Sequence, residues 1–278
     1  MTDYRFRISA RWIRSIFKID KNMKKNKKSI IWVIGGAGHL GQSIVRFLLG
    51  KNKHVLCADL AGKAREFATQ VNKKEQLIPV ELDVSDEEML FEFVRHNVIQ
   101  YGIPDGLVIL TYGAAGRSFD DLDAESFNRA GHLGVTSTFL LAREVGRAME
   151  KNGKGSIVLF SSMYGAVSPD PRIYESPMQP NPVEYGIGKA GIVQLTKYLA
   201  VHWARKGIRC NCISPGPFPN QMVINSHPQF IERLNAKVPM GRVGLAEEIA
   251  GPVHFLLSDD SSYVTGHNLF VDGGWTIW

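Results

Sequence analysis

The stretch that decides the fold runs from Ile30 to Gly41 and reads Ile-Ile-Trp-Val-Ile-Gly-Gly-Ala-Gly-His-Leu-Gly. Its first five residues are apolar and mostly β-branched, which is typical of a buried strand. The glycines then predict a tight turn, and the apolar spacing after Gly41 predicts a helix. Gly36, Gly38 and Gly41 fit the G-x-G-x-x-G pattern, in which missing Cβ atoms let a diphosphate reach backbone N–H groups at a helix N-terminus.

An acidic residue follows the next strand at the spacing that dinucleotide-binding units use. The predicted strand His54 to Ala58 ends at Asp59, which lies 18 residues after Gly41. A carboxylate at this point accepts hydrogen bonds from both hydroxyls of an adenosine ribose and repels a 2′-phosphate. Strand, glycine loop, helix, strand and acid together therefore predict binding of NAD. The alternative is a structural βαβ turn with a surface aspartate.

The composition is that of an ordinary globular protein. The chain has 278 residues, of which 44% are hydrophobic and 22% are charged, as in typical soluble domains. Its net charge of +6 is misleading, because residues 1–28 hold ten Lys/Arg and two Asp whereas residues 29–278 hold 23 basic and 25 acidic side chains. The folded part is near neutral, so we expect no nucleic-acid partner. No apolar run is long enough to span a bilayer.

Residues 1–28 form a basic N-terminal extension ahead of the predicted fold. Apolar residues recur among the basic ones at helical spacing, for example Ile8, Trp12 and Ile16, so an amphipathic helix on an anionic membrane is one interpretation. We favour a disordered tail, or an untranslated stretch upstream of a true start at Met23. The extension lacks the apolar core and cleavage site of a secretory signal.

The three cysteines point to a reducing compartment. Cys57, Cys210 and Cys212 all lie in apolar, strand-like stretches. A Cys-x-Cys pair without a partner cluster is a poor zinc signature, so we expect no metal site. Buried, reduced thiols are typical of cytoplasmic proteins, which is the location we expect.

Strands and helices alternate along the rest of the chain. Further strands are predicted over 77–82, 106–111, 156–160, 208–213 and 268–271, and helices over 86–101, 120–150 and 183–206. This alternation predicts an α/β fold, a single Rossmann-type doubly wound domain over residues 29–278 with a seven-stranded parallel sheet flanked by helices. Residues 168–182, which hold five prolines, and residues 217–240 break the rhythm. Both follow strand ends, where such sheets bind ligands, so we interpret them as a cover.

One helical stretch carries residues that suit acid–base chemistry. Tyr185 and Lys189 lie four apart and therefore on one face. A free tyrosine has a pKa of ~10, but a nearby ammonium favours the phenolate, and the protonated phenol can donate to a carbonyl in reverse. Ser162, after the fifth strand, is placed to bind the substrate oxygen. The alternative is a surface Tyr–Lys pair without function.

Together these motifs resemble the classical type of the short-chain dehydrogenase/reductase family. The resemblance covers residues 29–278 in order, with near-family spacing. The matching motifs are the glycine loop 35–41, Asp59, Asp83-Val84, Ser161-Ser162, Tyr185-x-x-x-Lys189, Asn211 to Gly216, Tyr263 to Gly266 and Val271 to Gly274.

The resemblance implies an NAD-dependent oxidoreductase that interconverts a secondary alcohol and a ketone. Tyr185 is then the acid/base, Lys189 lowers its pKa and binds the nicotinamide ribose, and Ser162 binds the substrate oxygen. The implied cofactor-binding residues also include Gly35, Gly36, Gly38, His39, Leu40, Gly41, Asp59, Asp83, Val84, Gly113, Pro215 and Gly216. The family's usual assembly implies a homotetramer or dimer.

The chain departs from the family pattern at several positions. Ile34 and His39 alter the glycine loop, and residues 110–113 read Leu-Thr-Tyr-Gly in place of Asn-Asn-Ala-Gly. Gly134 aligns with the asparagine that holds a proton-relay water in the family, and we expect His132 or a backbone carbonyl to substitute. These departures favour, as the rival hypothesis, a non-catalytic NAD-binding sensor or assembly subunit, and the glycine loop hints at a sugar-nucleotide epimerase.

The region between Ser162 and Tyr185 is longer than usual and holds the Pro-rich segment. Together with residues 216–221, it resembles oxidoreductases of surface-sugar and flagellin-modification pathways. That resemblance implies a polar, possibly sugar-derived substrate, with Arg172, Glu175 and Asn220 as candidate contacts. The alternative is that these three are solvent-exposed loop residues.

Overall fold

The computed structural model describes residues 29–176 and 178–278. The basic extension over residues 1–28, with its alternative start at Met23, lies outside the described residues. Among the residues that are described, no helix has both the length and the apolar character needed to cross a membrane.

Seven parallel strands form one sheet, which confirms the predicted fold class. The strands are β1 (Ile30–Ile34), β2 (His54–Asp59), β3 (Leu77–Glu81), β4 (Gly106–Ile109), β5 (Gly155–Phe160), β6 (Ile208–Pro215) and β7 (Asn268–Val271). Their order across the sheet is β3-β2-β1-β4-β5-β6-β7. The chain thus winds outward in one direction from β1 and in the other from β4, as in a doubly wound sheet.

Helices cover both faces of the sheet. They are α1 (His39–Gly50), α2 (Lys63–Thr69), α3 (Glu87–Tyr101), α4 (Ala124–Gly131), α5 (Ser137–Asn152), α6 (Val183–Trp203), α7 (Gln221–Ser226), α8 (Pro228–Lys237) and α9 (Ala250–Leu257). Alternate residues of β1 serve opposite faces: Trp32 packs with residues of α3, α5 and α6, whereas Val33 packs with residues of α1, α2 and α9. A strand buried on both faces has no polar positions, which explains the unbroken apolar run.

The helical region predicted over 120–150 contains a π-helical turn. A π-helical segment, His132–Thr136, separates α4 from α5. The hydroxyls of Ser137 and Thr138 donate to the carbonyls of Leu133 and Gly134, at 2.6 and 2.7 Å. These hydroxyls thereby satisfy carbonyl groups of the π-helical turn. The predicted helical region is therefore present over 124–152, and Gly134 lies in its π-helical turn.

Helix α5 depends on a close approach to α6. A Cβ atom added at Gly146 would lie 2.3 Å from the buried indole of Trp203. We therefore expect Gly146→Ala to lower the free energy of unfolding by about 1–3 kcal/mol through overpacking. The matched control is Gly251→Ala in α9, where a Cβ atom meets nothing within 4 Å, so stability should stay constant or rise by up to about 1 kcal/mol. Urea titration of both variants checks this, and equal losses would contradict it.

Candidate active site

A cleft of about 360 Å³ opens at the carboxyl ends of the central strands. Its lining brings together the three candidate catalytic residues, Ser162, Tyr185 and Lys189. The predicted cofactor residues that also line it are Gly35, Gly38, His39, Leu40, Gly41, Pro215 and Gly216. Those that lie outside its lining are Gly36, Asp59, Asp83, Val84 and Gly113.

The glycine loop forms a tight cradle in which Cβ atoms at two positions would clash with other atoms of the chain. Gly35 has φ +78°, and a Cβ atom at Gly41 would lie 2.3 Å from the Gly35 carbonyl oxygen. Beneath the loop, a Cβ atom at Gly36 would lie 2.7 Å from the Cys57 sulfur. Helix α1 then begins after Gly38 without a side-chain cap and without an acidic residue in its first turn. The backbone N–H groups at the start of α1 are therefore free to bind a diphosphate, and the residues of the loop fit a dinucleotide.

Asp59 ties the loop to the end of β2. Its Oδ2 atom accepts a hydrogen bond from the Ala37 N–H at 3.0 Å, and its Oδ1 atom accepts one from the Leu60 N–H at 2.9 Å. A carboxylate can accept about four hydrogen bonds, so acceptor capacity remains for a ribose hydroxyl. Asp59 therefore has a structural role beside its predicted one.

The residues after β3 form a second turn, which lies outside the cleft lining. The exposed Asp83 carboxylate accepts hydrogen bonds from the Ser85 N–H and hydroxyl at 2.9 and 2.7 Å, and these bonds lower its pKa. Val84 is half-buried and packs against the core. His132 makes a 3.3 Å contact with the carbonyl of Ser85. The His132 ring is thus engaged by the β3 turn and does not line the cleft.

Ser162, Tyr185 and Lys189 converge from β5 and α6. Ser162 follows β5 and is buried. The Lys189 ammonium is also buried and donates to the carbonyl of Phe160, at the end of the same strand, at 2.9 Å. The helical spacing places Tyr185 one turn before Lys189, with the ammonium 5.6 Å from the centre of the tyrosine ring. The predicted grouping of the three side chains is thus present in the structure.

Burial favours the uncharged forms of both titratable groups. It lowers the pKa of Lys189 to about 7. Burial also raises the pKa of Tyr185, and a hydrogen bond with Ser162 opposes that rise. Without a bound ligand, the phenol is therefore protonated at neutral pH and ready to donate.

Tyr112 is a site residue that sequence reasoning did not single out. It lines the cleft, and its ring packs edge-on against Tyr185 with centres 4.9 Å apart. Its hydroxyl donates to the carbonyl of Glu184 at 2.9 Å, and the buried Glu184 carboxylate accepts from the Ala115 N–H at 2.9 Å. The available signal was the unusual Leu-Thr-Tyr-Gly sequence after β4.

The Pro-rich segment docks on α8 through ion pairs. Arg233 binds the Glu175 carboxylate at 2.7 Å and the carbonyl of Ile173 at 2.8 Å. Asp170 pairs with Lys237 and with Arg172. These contacts hold the segment against α8. None of the described residues over 168–182 lines the cleft, so the interpretation of the segment as a cover stays a prediction.

The three residues suggested as substrate contacts all have partners within the chain. Arg172 pairs with Asp170, and Glu175 pairs with Arg233. The Asn220 side chain accepts from the Val223 N–H at 2.9 Å and caps α7. None of the three side chains lines the cleft, so their role as substrate contacts stays a prediction.

Comparisons with known proteins find relatives that match most of the chain. The family model described as "Enoyl-(Acyl carrier protein) reductase" matches residues 36–276. A 7alpha-hydroxysteroid dehydrogenase of Bacteroides fragilis is 30% identical over 92% of this chain and 97% of its own. A galactitol 2-dehydrogenase (L-tagatose-forming) of Cereibacter sphaeroides is 29% identical over 95% and 99%. A short chain dehydrogenase of Leptospira borgpetersenii, solved with bound NAD+, is 34% identical with a TM-score of 0.80 over 93% and 96%.

The buried lysine predicts a pH dependence of stability. A folded-state pKa of about 7 for Lys189 lies below the unfolded value of about 10.4, so between these values the unfolded chain binds more protons. The free energy of unfolding of the unliganded protein should therefore rise from pH 7 to pH 10 through this residue, by up to about 4 kcal/mol. Lys189→Met should flatten the rise. Chemical denaturation across this pH range checks this, and an unchanged slope in the variant would contradict it.

Proposed function

The chain belongs to the short-chain dehydrogenase/reductase family, and we propose that it is an NAD(H)-dependent oxidoreductase that interconverts a secondary alcohol and a ketone. One observation carries the proposal. Ser162, Tyr185 and Lys189 line a single cleft, and the glycine cradle lines the same cleft. A donor–acceptor phenol beside a nucleotide cradle suits proton transfer coupled to hydride transfer.

Each side chain has a defined task in this proposal. A bound nicotinamide dinucleotide supplies the hydride acceptor or donor. The glycine loop holds its diphosphate and Asp59 holds its adenosine ribose. Ser162 hydrogen-bonds the substrate oxygen, while the Oη atom of Tyr185 removes the hydroxyl proton during oxidation and returns it during reduction. Lys189, when protonated, stabilises the phenolate.

We propose that the substrate is polar, uncharged and hydroxylated. Among the described residues, no acidic side chain lines the cleft, and the one amine in the lining, Lys189, is bonded to a carbonyl. Two charged side chains of the Pro-rich segment, Arg172 and Glu175, are paired with other side chains. A carboxylated or phosphorylated substrate would have no free partner among these groups. The galactitol dehydrogenase relative supports a polyol or another sugar derivative.

The rival proposal is a non-catalytic NAD-binding sensor on the same fold. It is motivated by Gly134 and by Tyr112, both of which depart from the family pattern. The retained Ser162, Tyr185 and Lys189 argue against it, because a binding module does not need a phenol held beside an ammonium. Binding of NADH without turnover of any alcohol in a broad panel would favour the rival.

We also propose that the chain forms a homo-oligomer, as a tetramer or dimer. Helix α6 presents apolar side chains to solvent, with Tyr198 69% and Val201 84% exposed. Exposed apolar positions on one helix suit contact with a second copy. Light scattering on the purified protein measures the assembly size, and a monomer would exclude the proposal.

The thiols support a reducing, cytoplasmic location for the protein. Cys57, Cys210 and Cys212 are all free and buried. Burial also raises the pKa of Cys57 to about 12 and that of Cys212 to about 11, so these thiols are unreactive.

Removal of the Tyr185 hydroxyl should abolish turnover. Tyr185→Phe removes the proton acceptor, so kcat should fall at least about 100-fold while the Kd for NADH stays within about threefold. Tyr198→Phe on the same helix is the matched control and should retain full activity. Steady-state assays with a polyol panel and fluorescence titration with NADH measure both quantities. Normal turnover in Tyr185→Phe would sink the proposed mechanism.

Neutralising Asp59 should reduce the preference for NADH over NADPH. Asp59→Asn keeps an acceptor for the Ala37 N–H but removes the charge that repels a 2′-phosphate. We expect the Kd for NADPH divided by the Kd for NADH to fall roughly tenfold, which corresponds to the loss of one charge-assisted hydrogen bond. Glu87→Gln, an exposed acid at the start of α3, serves as the control. Fluorescence titration measures the ratio, and an unchanged ratio would contradict the assignment of Asp59.

A further inference from the structure

The ring of Tyr112 occupies a space that two glycines leave open. A Cβ atom at Gly134 would lie 2.2 Å from Cε2 of Tyr112, and a Cβ atom at Gly188 would lie 2.6 Å from its hydroxyl oxygen. A side chain at either position would therefore displace the ring. Gly134 lies in the π-helical segment and Gly188 lies in α6, so two separate elements are shaped around one tyrosine.

The same ring contacts both candidate catalytic groups. Its edge meets the Tyr185 ring at 4.9 Å between centres and an interplanar angle of 78°. The Lys189 ammonium lies 4.6 Å from the centre of the Tyr112 ring, closer than to the Tyr185 ring at 5.6 Å. The hydroxyl bond to the carbonyl of Glu184 fixes the far end of the ring. Tyr112 is thus restrained at its edge, at its face and at its hydroxyl.

The Lys189 ammonium has little other stabilisation. Within residues 29–176 and 178–278, no carboxylate forms an ion pair with it. The carbonyl of Phe160 is its one hydrogen-bond acceptor in this part of the chain. The titratable groups that face it are Tyr112 after β4, Tyr185 on α6 and the Cys212 thiol on β6. An aromatic face attracts a desolvated cation, so the Tyr112 ring favours the charged amine.

We propose that Tyr112 is a positioning residue that holds the Lys189 ammonium in its charged form and fixes the Tyr185 ring beside it. The inference rests on the proposed function, because its effect on turnover passes through these two residues. It deepens that function by assigning a role to the unusual Leu-Thr-Tyr-Gly sequence. It also explains why Gly134 carries no side chain: the Tyr112 ring occupies the space that such a side chain would need.

The test changes the electron density of the ring without changing its size. Phenylalanine, 4-fluoro-, 3,5-difluoro- and 3,4,5-trifluorophenylalanine are introduced at Tyr112, since fluorine progressively weakens the attraction of the ring face for a cation. Tyr112→Phe keeps the ring but removes the hydroxyl bond to the carbonyl of Glu184, so it is the reference with which the fluorinated variants are compared. Each added fluorine should make the charged form of Lys189 less stable, and Lys189 then stabilises the Tyr185 phenolate less. The pH at half-maximal alcohol oxidation should therefore rise stepwise along the series, by up to roughly one unit.

A second readout needs no turnover. The pH at which the stability of the unliganded protein begins to rise should move downward along the same series, because a weaker ring face lowers the pKa of Lys189. A purely structural role for the ring would shift stability equally at all pH values. Phe139→Leu is the control: it removes a ring that lies under Arg143, 5.3 Å from its guanidinium carbon, and should leave both pH midpoints unchanged.

The outcomes separate this inference from the function on which it rests. Suppose that Tyr185→Phe inactivates the protein but neither the pH at half-maximal oxidation nor the pH at which stability begins to rise changes along the fluorinated series. That result would overturn the role of Tyr112 alone. Full turnover in Tyr185→Phe would overturn the proposed function, and the stability readout would still decide whether Tyr112 stabilises the ammonium. Stepwise shifts in both midpoints would support the inference.

Discussion

The reversal of winding direction between β1 and β4 is the constraint on which the rest of the structure depends. Connections from these adjacent strands leave in opposite directions, so no crossover covers their carboxyl ends. The resulting crevice receives the glycine loop from β1, Tyr112 from the segment after β4 and Ser162 from β5. The cleft is therefore a consequence of topology, and the side chains that follow the strands give it chemistry.

Desolvation then governs that chemistry. Lys189 is buried without a carboxylate among the described residues, so its charge depends on one carbonyl and on aromatic faces. Burial raises the pKa of Tyr185 and lowers that of Lys189, which keeps the unliganded pair close to neutral. In the proposed mechanism, a protonated Lys189 shifts the phenol toward its basic form. Outside the cleft lining, ion pairs hold the Pro-rich segment against α8.

Local patterns predicted the fold well, and long-range contacts explain what they missed. The strands are short apolar runs bounded by turn residues, and the glycine spacing is a steric requirement within twelve residues, so both are readable locally. The π-helical turn at Gly134 was not readable, because the contact that leaves no room for a side chain there is with Tyr112, which is distant in sequence. The partner of Glu175 was hidden for the same reason, because Arg233 on α8 is distant in sequence. Arg172, by contrast, pairs locally with Asp170.

The most direct test of the account follows a hydrogen atom rather than a rate. The protein is incubated with NAD+ and polyols that carry deuterium on the secondary carbinol carbon, and the nicotinamide product is examined by NMR. The account predicts that deuterium appears at C4 of the reduced nicotinamide ring, from one face only, and that Tyr185→Phe suppresses the transfer. Bound NAD+ with no deuterium transfer from any member of a broad panel would contradict it and leave the non-catalytic sensor as the better explanation.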